Sequence, residues 1–548
     1  MKKAASYLIL LLTVGLCGAC SDVLDIDPTD RYSPASVWSD KDAVDKYVFG
    51  FYGMLKEKDG VYNAGFFSDA FSDIMKSSSW DQYNHSYNYV LLQDTYFTSD
   101  DARTFSCWGD TYNRIFRLNI FLRDAPGYVS SFGQEFITTR MAEIRFFRGY
   151  CYYLMTRVYG GVVLRKAVDG PNENDKPRAT EAESWQQAID DITYAAENLP
   201  ESWDASNSGR ITKAAAYGML SRVALYAKQW DLAVEAADLC KQYANDPLST
   251  SYSDIFNNSA NPENLLVLNF LPGYMESGIT HDHDTYFRPV GDSPYHNKVS
   301  IKSAFGPTSE LVDSYEMADG SEFSWESHGD DPYANREPRF YATVLYNGAK
   351  WEGRTIETFV GGADGMIEFQ TSGAANASTT GYYFRKFLTE GETTWETKGS
   401  SHFAIFLRYG EVLLNKAEAL AEADWNANRT EALATLNRIR GRVGLPARTA
   451  ASKEEFMELL RHERMVELAG EGFRYWDLRR WRLAVEVING KEAHGVKITK
   501  NPDGTFHYEQ IAVDGGKKRI FYERYYAFSL PLTEMKNNRL IGENNPGW

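Results

Sequence analysis

Apolar residues recur at helical spacing in the segment RMAEIRFFRGYCYYLMTRVYGG, residues 140 to 161. Positions three and four apart lie on one face of a helix, so the pattern predicts a helix with one buried face. Gly160 and Gly161 end the pattern, as glycines do at helix C-termini. The five apolar positions are Ile144, Phe147, Tyr150, Leu154 and Val158.

Residues 210 to 243, RITKAAAYGMLSRVALYAKQWDLAVEAADLCKQY, carry a similar pattern twice, with a break between Lys228 and Asp231. The spacing predicts two helices that form a hairpin. Small and apolar residues also fall where a tetratricopeptide repeat requires them, which lets the two helices approach closely. These positions are Tyr217, Leu220, Ser221, Ala224, Ala233 and Ala237.

A second helical pair is predicted near the C-terminus, over residues 404 to 423 and 430 to 446. Ser452 and Glu455 have the spacing of a capping box and predict the start of the next helix. Between the helical regions, residues 246 to 400 are dense in Asn, Gly, Ser and Pro, and short runs such as RFYATVLYNG predict strands or hairpins. We therefore expect a mainly α-helical scaffold of tetratricopeptide-like hairpins with a loop-rich, partly β excursion.

The N-terminus has the pattern of an export signal. Lys2 and Lys3 precede the apolar run YLILLLTVGL, which is too short for the roughly 20 residues that span a bilayer as a helix. Gly18 and Ala19 then lead to Cys20, which carries lipid if cleavage occurs before it. Ordinary cleavage near Ala19 with an incidental thiol is the alternative. Residues 1–19 are thus predicted to be a signal peptide.

Charge and cysteine content exclude several classes of protein. The chain of 548 residues is long enough for two or three lobes, and its net charge of −17 argues against nucleic acid as a partner. Beyond Cys17 and Cys20 the cysteines are Cys107, Cys151 and Cys240, an odd and widely spaced set with no C-x-x-C pair, and there is no paired histidine cluster, so neither a disulfide scaffold nor a zinc site is indicated.

Aromatic residues concentrate in the stretch SSSWDQYNHSYNYVLLQDTYF, residues 77 to 97, among Ser, Asn, Gln and Asp. Aromatic faces attract the C–H groups of sugars, and amide or carboxylate side chains bridge neighbouring hydroxyls. The stretch is therefore a candidate glycan-binding loop. The alternative is that the rings hold this loop to the scaffold. Its rings include Trp80, Tyr83, Tyr87, Tyr89 and Tyr96.

Two charged stretches raise other possibilities. The run from Arg461 to Arg480 mixes carboxylates with bases, and we interpret it as structural ion pairs at helical spacing rather than a catalytic group. The stretch HDHDTYFRP, residues 281 to 289, alternates His and Asp and offers ligands for a metal, but no third ligand is evident. We interpret it as a solvated loop. Trp108, Tyr112, Ile115 and Asn119 have helical spacing and are expected in the core.

Taken in order, these segments resemble the SusD/RagB group of outer-membrane nutrient-binding lipoproteins. The most specific match is LLRHERMVELAGEGFRYWDLRRW, residues 459 to 481, together with the closing NPGW. Further matches are SDVLDIDPTD after Cys20, FFRGYCYYLMTRVYGGVVL, the hairpin at 210 to 243, PTSELVDSYEMADG and EPRFYATVLYNGAKW. The resemblance implies an N-terminal region over residues 20–300 and a C-terminal region over residues 301–548.

The resemblance implies a role in nutrient uptake. Such a protein is attached to the outer membrane by acylation of Cys20 and faces the exterior. It captures an oligosaccharide, or a peptide as in some relatives, and acts as a lid over a SusC-like TonB-dependent transporter. By similarity, Trp80, Tyr83 and Asn84 of an early loop contact the glycan, and Tyr286 and Tyr295 of a later loop contribute.

The same resemblance implies a binding protein rather than an enzyme. We expect no cofactor beyond the lipid on Cys20, and calcium is not indicated. A glycoside hydrolase is the competing hypothesis, and it would need two carboxylates facing each other across about 5 to 10 Å. An assembly protein whose helices bind another protein is the third class.

Overall fold

A computed structural model describes residues 34–57, 68–77, 97–98, 105–170, 173–271, 280–293, 301–367, 377–391 and 399–548. Helices dominate this part of the chain, as the sequence predicts. The α-helices longer than four residues in the described part of the chain are α1 (Lys41–Tyr52), α2 (Trp108–Asp124), α3 (Gln134–Tyr159), α4 (Glu181–Asn198), α5 (Lys213–Tyr226), α6 (Trp230–Ala244), α7 (Tyr252–Asn257), α8 (His283–Phe287), α9 (Pro338–Thr343), α10 (Tyr409–Arg442), α11 (Lys453–Glu467), α12 (Arg474–Arg480), α13 (Ala484–Ile488) and α14 (Leu532–Asn537).

Helices α3 to α6 pack successively against one another. α3 begins at Gln134, six residues before the predicted segment, and ends at Gly160 as expected. Gly149 permits the contact with α4, because a Cβ atom at this position would lie 2.8 Å from a side-chain carbon of Ile192. α5 and α6 form the predicted hairpin, and α10 packs along it. These helices build the scaffold.

The prediction for residues 404 to 423 is wrong at its start. Ala404–Arg408 is a strand that pairs antiparallel with Asn264–Leu268, and helix α10 begins only at Tyr409. A short apolar run buried on both faces has the same hydrophobicity whether it is helix or strand, so its pattern did not distinguish them. The predicted boundary between the two helices is present as a kink within α10. It lies at Asp424, whose backbone is extended rather than helical, with φ at −160°.

The strands of the described residues form short two-stranded sheets, all antiparallel. RFYATVLYNG is only partly β: its first residues belong to α9, which starts at Pro338, where a missing N–H costs no helical hydrogen bond. The pairs are β1 (Met75–Ser77) with β3 (Phe305–Pro307), β2 (Asn264–Leu268) with β8 (Ala404–Arg408), β4 (Val344–Leu345) with β7 (Tyr383–Phe384), β5 (Lys350–Trp351) with β6 (Arg354–Thr355), and β9 (His494–Lys500) with β10 (Phe506–Ala512).

A large apolar core joins the early helices to the C-terminal segments. Phe105 stacks on Tyr475 with ring centres 5.0 Å apart, and Phe97 packs on Phe528 at 4.7 Å. Asn119 of α2 is the expected polar group in this core, since its amide donates to the carbonyl oxygens of Arg165 and Ala167. Within the described residues, no helix combines the length and the apolar character needed to span a membrane.

Candidate functional site

The predicted lipidation site, Cys20, and the predicted ligand-binding residues divide into two groups. Cys20, Trp80, Tyr83, Asn84 and Tyr295 lie outside the residues that the structure describes. Tyr286 lies within them, in helix α8. The residues that flank the undescribed stretch at 78–96 are also described, and they show how the chain enters it.

Strand β3 connects the start of that stretch to the segment that carries Tyr286. In the antiparallel pair of β1 and β3, Ser77 lies opposite Phe305. The residue before Phe305, Ala304, donates its N–H to the carbonyl oxygen of Tyr286 at 2.6 Å. Lys302 donates in the same way to Thr285 at 2.7 Å. The two segments predicted to contact ligand therefore start from neighbouring backbone.

Tyr286 is largely buried, with 8% of its surface exposed. The ammonium group of Lys302 donates to its hydroxyl oxygen at 2.9 Å and lies 4.2 Å from its ring centre. This contact combines a charge-assisted hydrogen bond with a cation–π interaction, and both fix the ring. Tyr286 can therefore offer a ligand only part of its side chain in this conformation.

A buried ion pair holds β1 in place. Lys76 donates to Asp514 at 2.9 Å, and both side chains are fully buried. Burial lowers the pKa of Lys76 to about 8, which Asp514 partly offsets. Burial acts against ionisation of Asp514, but the charges of Arg519 and Lys76 hold its pKa well below the usual range. The pair is charged near neutral pH and links β1 to the end of the chain.

Asp69 makes a second connection, just before β1. Its two carboxylate oxygens accept the backbone N–H groups of Gly472 and Arg474, each at 3.0 Å. The guanidinium of Arg474 in turn donates to both oxygens of Asp73, at 2.9 and 2.8 Å. Burial raises the pKa of Asp69 to about 7, although the two N–H donors oppose this shift. The segment GEGFRYWD thus positions the residues that lead into β1.

The charged run from Arg461 to Arg480 is structural, as predicted, but its ion pairs are buried rather than on a helix surface. Glu467 binds Arg339, Arg408 and Arg442, and all four side chains are at most 1% exposed. Most ion-pair partners of these residues are distant in sequence. The spacing of three and four positions along a helix therefore identified few of them. The remaining close pairs are Glu471 with Lys386 and Arg408, Glu463 with Arg339 and Arg440, and Asp477 with Arg464 and Arg480.

Neighbouring cations hold Glu467 and Glu471 in their ionised form. Burial alone would favour protonation of Glu467, but Arg442, Arg408 and Arg339 hold its pKa well below the usual range. Burial also opposes ionisation of Glu471, yet Arg408 and Lys386 lower its pKa to about 2. A general acid for glycoside hydrolysis needs a raised pKa, so neither Glu467 nor Glu471 fits that role.

The stretch at 281–289 is not a solvated loop, contrary to the prediction. His281, His283 and Asp284 are buried, and His283–Phe287 is helical. Asp284 binds the buried Arg288 at 3.1 Å, so the polar residues of this stretch neutralise one another inside the protein. Across the described residues, no group of three or more His, Cys, Asp or Glu side chains is arranged to hold a metal ion.

Comparison with known proteins identifies the fold and the family. The model described as "SusD family" matches residues 275–548, and the model described as "Starch-binding associating with outer membrane" matches residues 22–225. A SusD-like protein of Bacteroides ovatus is 24% identical over 541 residues, which cover 93% of this chain and 90% of the relative.

Solved structures of SusD-like proteins have the same fold as this chain. The crystal structure of a SusD-like protein from Bacteroides fragilis has a TM-score of 0.79 at 25% identity and covers 94% of this chain and 99% of that one. A SusD-like carbohydrate binding protein from the same species has a TM-score of 0.74 at 23% identity and covers 92% and 100%. One family model matches half of the chain, and the fold agrees along nearly its whole length. The chain belongs to the SusD family.

Proposed function

We propose that the protein captures oligosaccharides at the cell surface and delivers them to a SusC-like TonB-dependent transporter in the outer membrane. One structural relative is described as a SusD-like carbohydrate binding protein, which supports a glycan as the ligand. The description of the N-terminal model, starch binding in association with the outer membrane, supports the location.

The pairing of β1 with β3 is the observation on which the proposed site depends. It joins Ser77, which leads into the aromatic stretch, to the strand whose preceding residue binds the backbone of Tyr286. A ligand site needs groups that converge from separate segments of the chain. We infer that Trp80, Tyr83 and Asn84 face the same ligand as the segment that contains Tyr286 and Tyr295.

Each residue type has a role in this site. The Trp80 and Tyr83 rings supply flat faces for the C–H groups of a sugar, because an aromatic face carries negative potential. The Asn84 amide both donates and accepts hydrogen bonds, as neighbouring sugar hydroxyls require. The buried ion pair of Lys76 with Asp514 and the hydrogen bonds from the backbone of Gly472 and Arg474 to Asp69 fix the backbone before this stretch, so the chain enters the proposed site from a backbone that is already fixed.

Attachment to the membrane follows from the N-terminus. We infer that Cys20 becomes the first mature residue and carries acyl chains, more than one of which are needed for stable membrane anchoring. The acidic residues after Cys20 suit display on the outer face. In this position the helical scaffold contacts the transporter, and the loops hold the glycan.

A binding array with polysaccharides and peptides tests the ligand class. The purified protein is applied to the array, and each bound glycan is then incubated with the protein and examined for cleavage. Binding of a glycan without new reducing ends supports the proposal. Binding of peptides alone would keep the uptake role but change the ligand class, and glycan cleavage would establish a hydrolase instead.

Delivery is tested separately in cells. Deletion of the gene should reduce uptake of the glycan identified on the array, while the transporter remains in the outer membrane. Affinity purification of the tagged protein from that membrane should recover a TonB-dependent transporter. Normal uptake in the deletion strain would contradict delivery without affecting the binding result.

A further inference from the structure

A cleft of about 540 Å³ opens between the short helices α7 and α9. Its volume is within the range of about 300 to 1,000 Å³ that is typical of ligand pockets. Tyr286 does not line it, so the cleft is separate from that part of the proposed site. The side chains that matter for a ligand are Tyr252, Phe256, Asn257, Tyr341, Arg385 and Glu390.

Hydrogen bonds to the hydroxyl groups fix two aromatic rings of the cleft. Tyr341 donates to the carbonyl oxygen of Tyr333 at 2.7 Å and accepts from the N–H of Arg336 at 3.1 Å. Tyr252 donates to the carbonyl oxygen of Glu467 at 2.8 Å. Tyr341 remains half-buried, so its ring is held in one orientation while part of it faces the cleft. A fixed ring loses little entropy when a ligand stacks on it.

Arg385 and Glu390 supply a polar group at the same cleft. Two hydrogen bonds of 2.8 and 3.1 Å join them, and their side chains are 33% and 35% exposed. The pair therefore presents N–H donors beside carboxylate acceptors in one plane. Asn257 adds an exposed amide whose nitrogen donates to Ser253 at 3.0 Å. Sugar hydroxyls both donate and accept, so they match this alternation.

The charges at the base of the cleft favour a neutral ligand. Lys386 binds Glu471 at 2.7 Å, and Arg442 binds Glu263 at 3.1 Å and also contacts Glu467. These cations are neutralised by carboxylates behind them. An anion would gain little from cations that are already paired, whereas hydroxyl groups can add to the exposed edges of the Arg385 pair.

We propose that this cleft is a second carbohydrate-binding site, which takes a neutral sugar unit on the Tyr341 ring and the pair of Arg385 with Glu390. The inference rests on the proposed function, because it assumes that the ligand is a glycan. Two sites on one chain slow the release of a long glycan, since dissociation from one site leaves the other bound.

Titration calorimetry with maltoheptaose, laminarihexaose and mannohexaose tests the inference, together with any glycan found on the array. The unmodified protein should bind two equivalents of the recognised oligosaccharide. Arg385→Ala and Tyr341→Ala should each weaken one of the two sites by about tenfold or more, which corresponds to about 1.4 kcal/mol of binding free energy. Tyr341→Phe keeps the stacking face but loses the hydrogen bonds that fix the ring, so it should weaken this site less than Tyr341→Ala does.

The outcomes separate the two proposals. The unmodified protein could instead bind one equivalent of oligosaccharide, with this binding lost in Trp80→Ala and unchanged in Arg385→Ala. That result would overturn the second site and support the first. Binding that survives Trp80→Ala and is lost in Arg385→Ala would support the second site alone. No binding of any glycan would overturn both, and tighter binding of an oligogalacturonate would contradict a neutral ligand. Arg385→Ala keeps the test valid if Tyr341→Ala fails to fold.

Discussion

The Nζ atom of Lys76 lies 2.9 Å from the Oδ1 atom of Asp514, and neither side chain is exposed to solvent. The pair joins strand β1 to a residue more than 400 positions later in the chain. Asp514 also accepts from Arg519 at 2.9 Å and from the N–H of Ala493 at 2.7 Å. This arrangement fixes the backbone immediately before the aromatic stretch.

Replacing Lys76 with Met should destabilise the protein strongly. The change leaves Asp514 buried with fewer partners, and removal of one member of a buried ion pair costs about 3 to 5 kcal/mol. Urea unfolding monitored by circular dichroism measures the loss. Glycan affinity should fall as well, because the ligand-binding stretch starts at the same strand.

Lys518→Met is the matched control. Lys518 binds Glu492 at 2.6 Å, but its side chain is 61% exposed, and exposed ion pairs contribute about 0 to 1 kcal/mol. If Lys76→Met and Lys518→Met lowered the free energy of unfolding by the same amount, burial of the Lys76 pair would contribute nothing to stability. The double variant Lys76→Met, Asp514→Leu should not recover the stability, because it leaves the buried Arg519 without its carboxylate partner.

Asp69 should make stability depend on pH between about 4 and 7. Burial raises the pKa of Asp69 from 3.8 to about 7, so the folded state binds this proton more tightly than the unfolded state does. Its contribution to stability is therefore complete below about pH 4 and is lost as the pH rises to about 7. Urea unfolding at pH 5 and pH 8 measures the difference.

Asp69→Asn is the test of that assignment. The amide does not titrate, so the part of the pH dependence that arises from Asp69 should disappear. At pH 5 the variant should also be less stable by roughly 1 to 3 kcal/mol, because one of the N–H groups of Gly472 and Arg474 loses its acceptor. If the free energy of unfolding changed between pH 5 and pH 8 by the same amount in Asp69→Asn and in the unmodified protein, the raised pKa of Asp69 would be refuted.

The sequence predicted the elements whose pattern is long enough to be unambiguous. Helix α3 has 26 residues, so many turns repeat the same apolar face. Strand β8, with five residues, was mistaken for the first turn of a helix because a run of that length shows no period. The Ser452 cap was predicted, but Glu455 accepts from the N–H of Ala451 rather than that of Ser452.

The burial of the charged residues could not be predicted from local spacing. Glu467 binds Arg339, 128 positions earlier, so no helical periodicity connects them. The stretch at 281–289 was misinterpreted for the same reason, since polar residues that pair with one another can lie inside a protein. The roles of Lys76 and Asp69 depend on contacts more than 400 positions apart. The ligand-binding residues were predicted from the aromatic composition of residues 77 to 97 and from the resemblance to the family, and this assignment stays a prediction.

Replacing Cys20 with Ala should release the protein from the membrane. The change removes the thiol that we propose is acylated, and with it the proposed lipid anchor. Cell fractionation and metabolic labelling with palmitate measure the effect. Cys17→Ala is the matched control and should leave both labelling and membrane attachment intact. Labelled Cys20→Ala protein in the membrane fraction would contradict the lipoprotein assignment.

Replacing Trp80 with Ala should weaken glycan binding by at least about fivefold, because the variant loses the ring on which a sugar stacks. The substitution lies after β1, whose position depends on Lys76 and Asp69, so the melting temperature should change little. Trp80→Phe keeps an aromatic face and should retain most of the affinity, which separates stacking from loss of the indole N–H. Titration calorimetry with the glycan found on the array measures the affinity of the unmodified protein and of the two variants. Equal affinities would move the site away from this stretch, and the cleft beside Tyr341 would then be the next place to test.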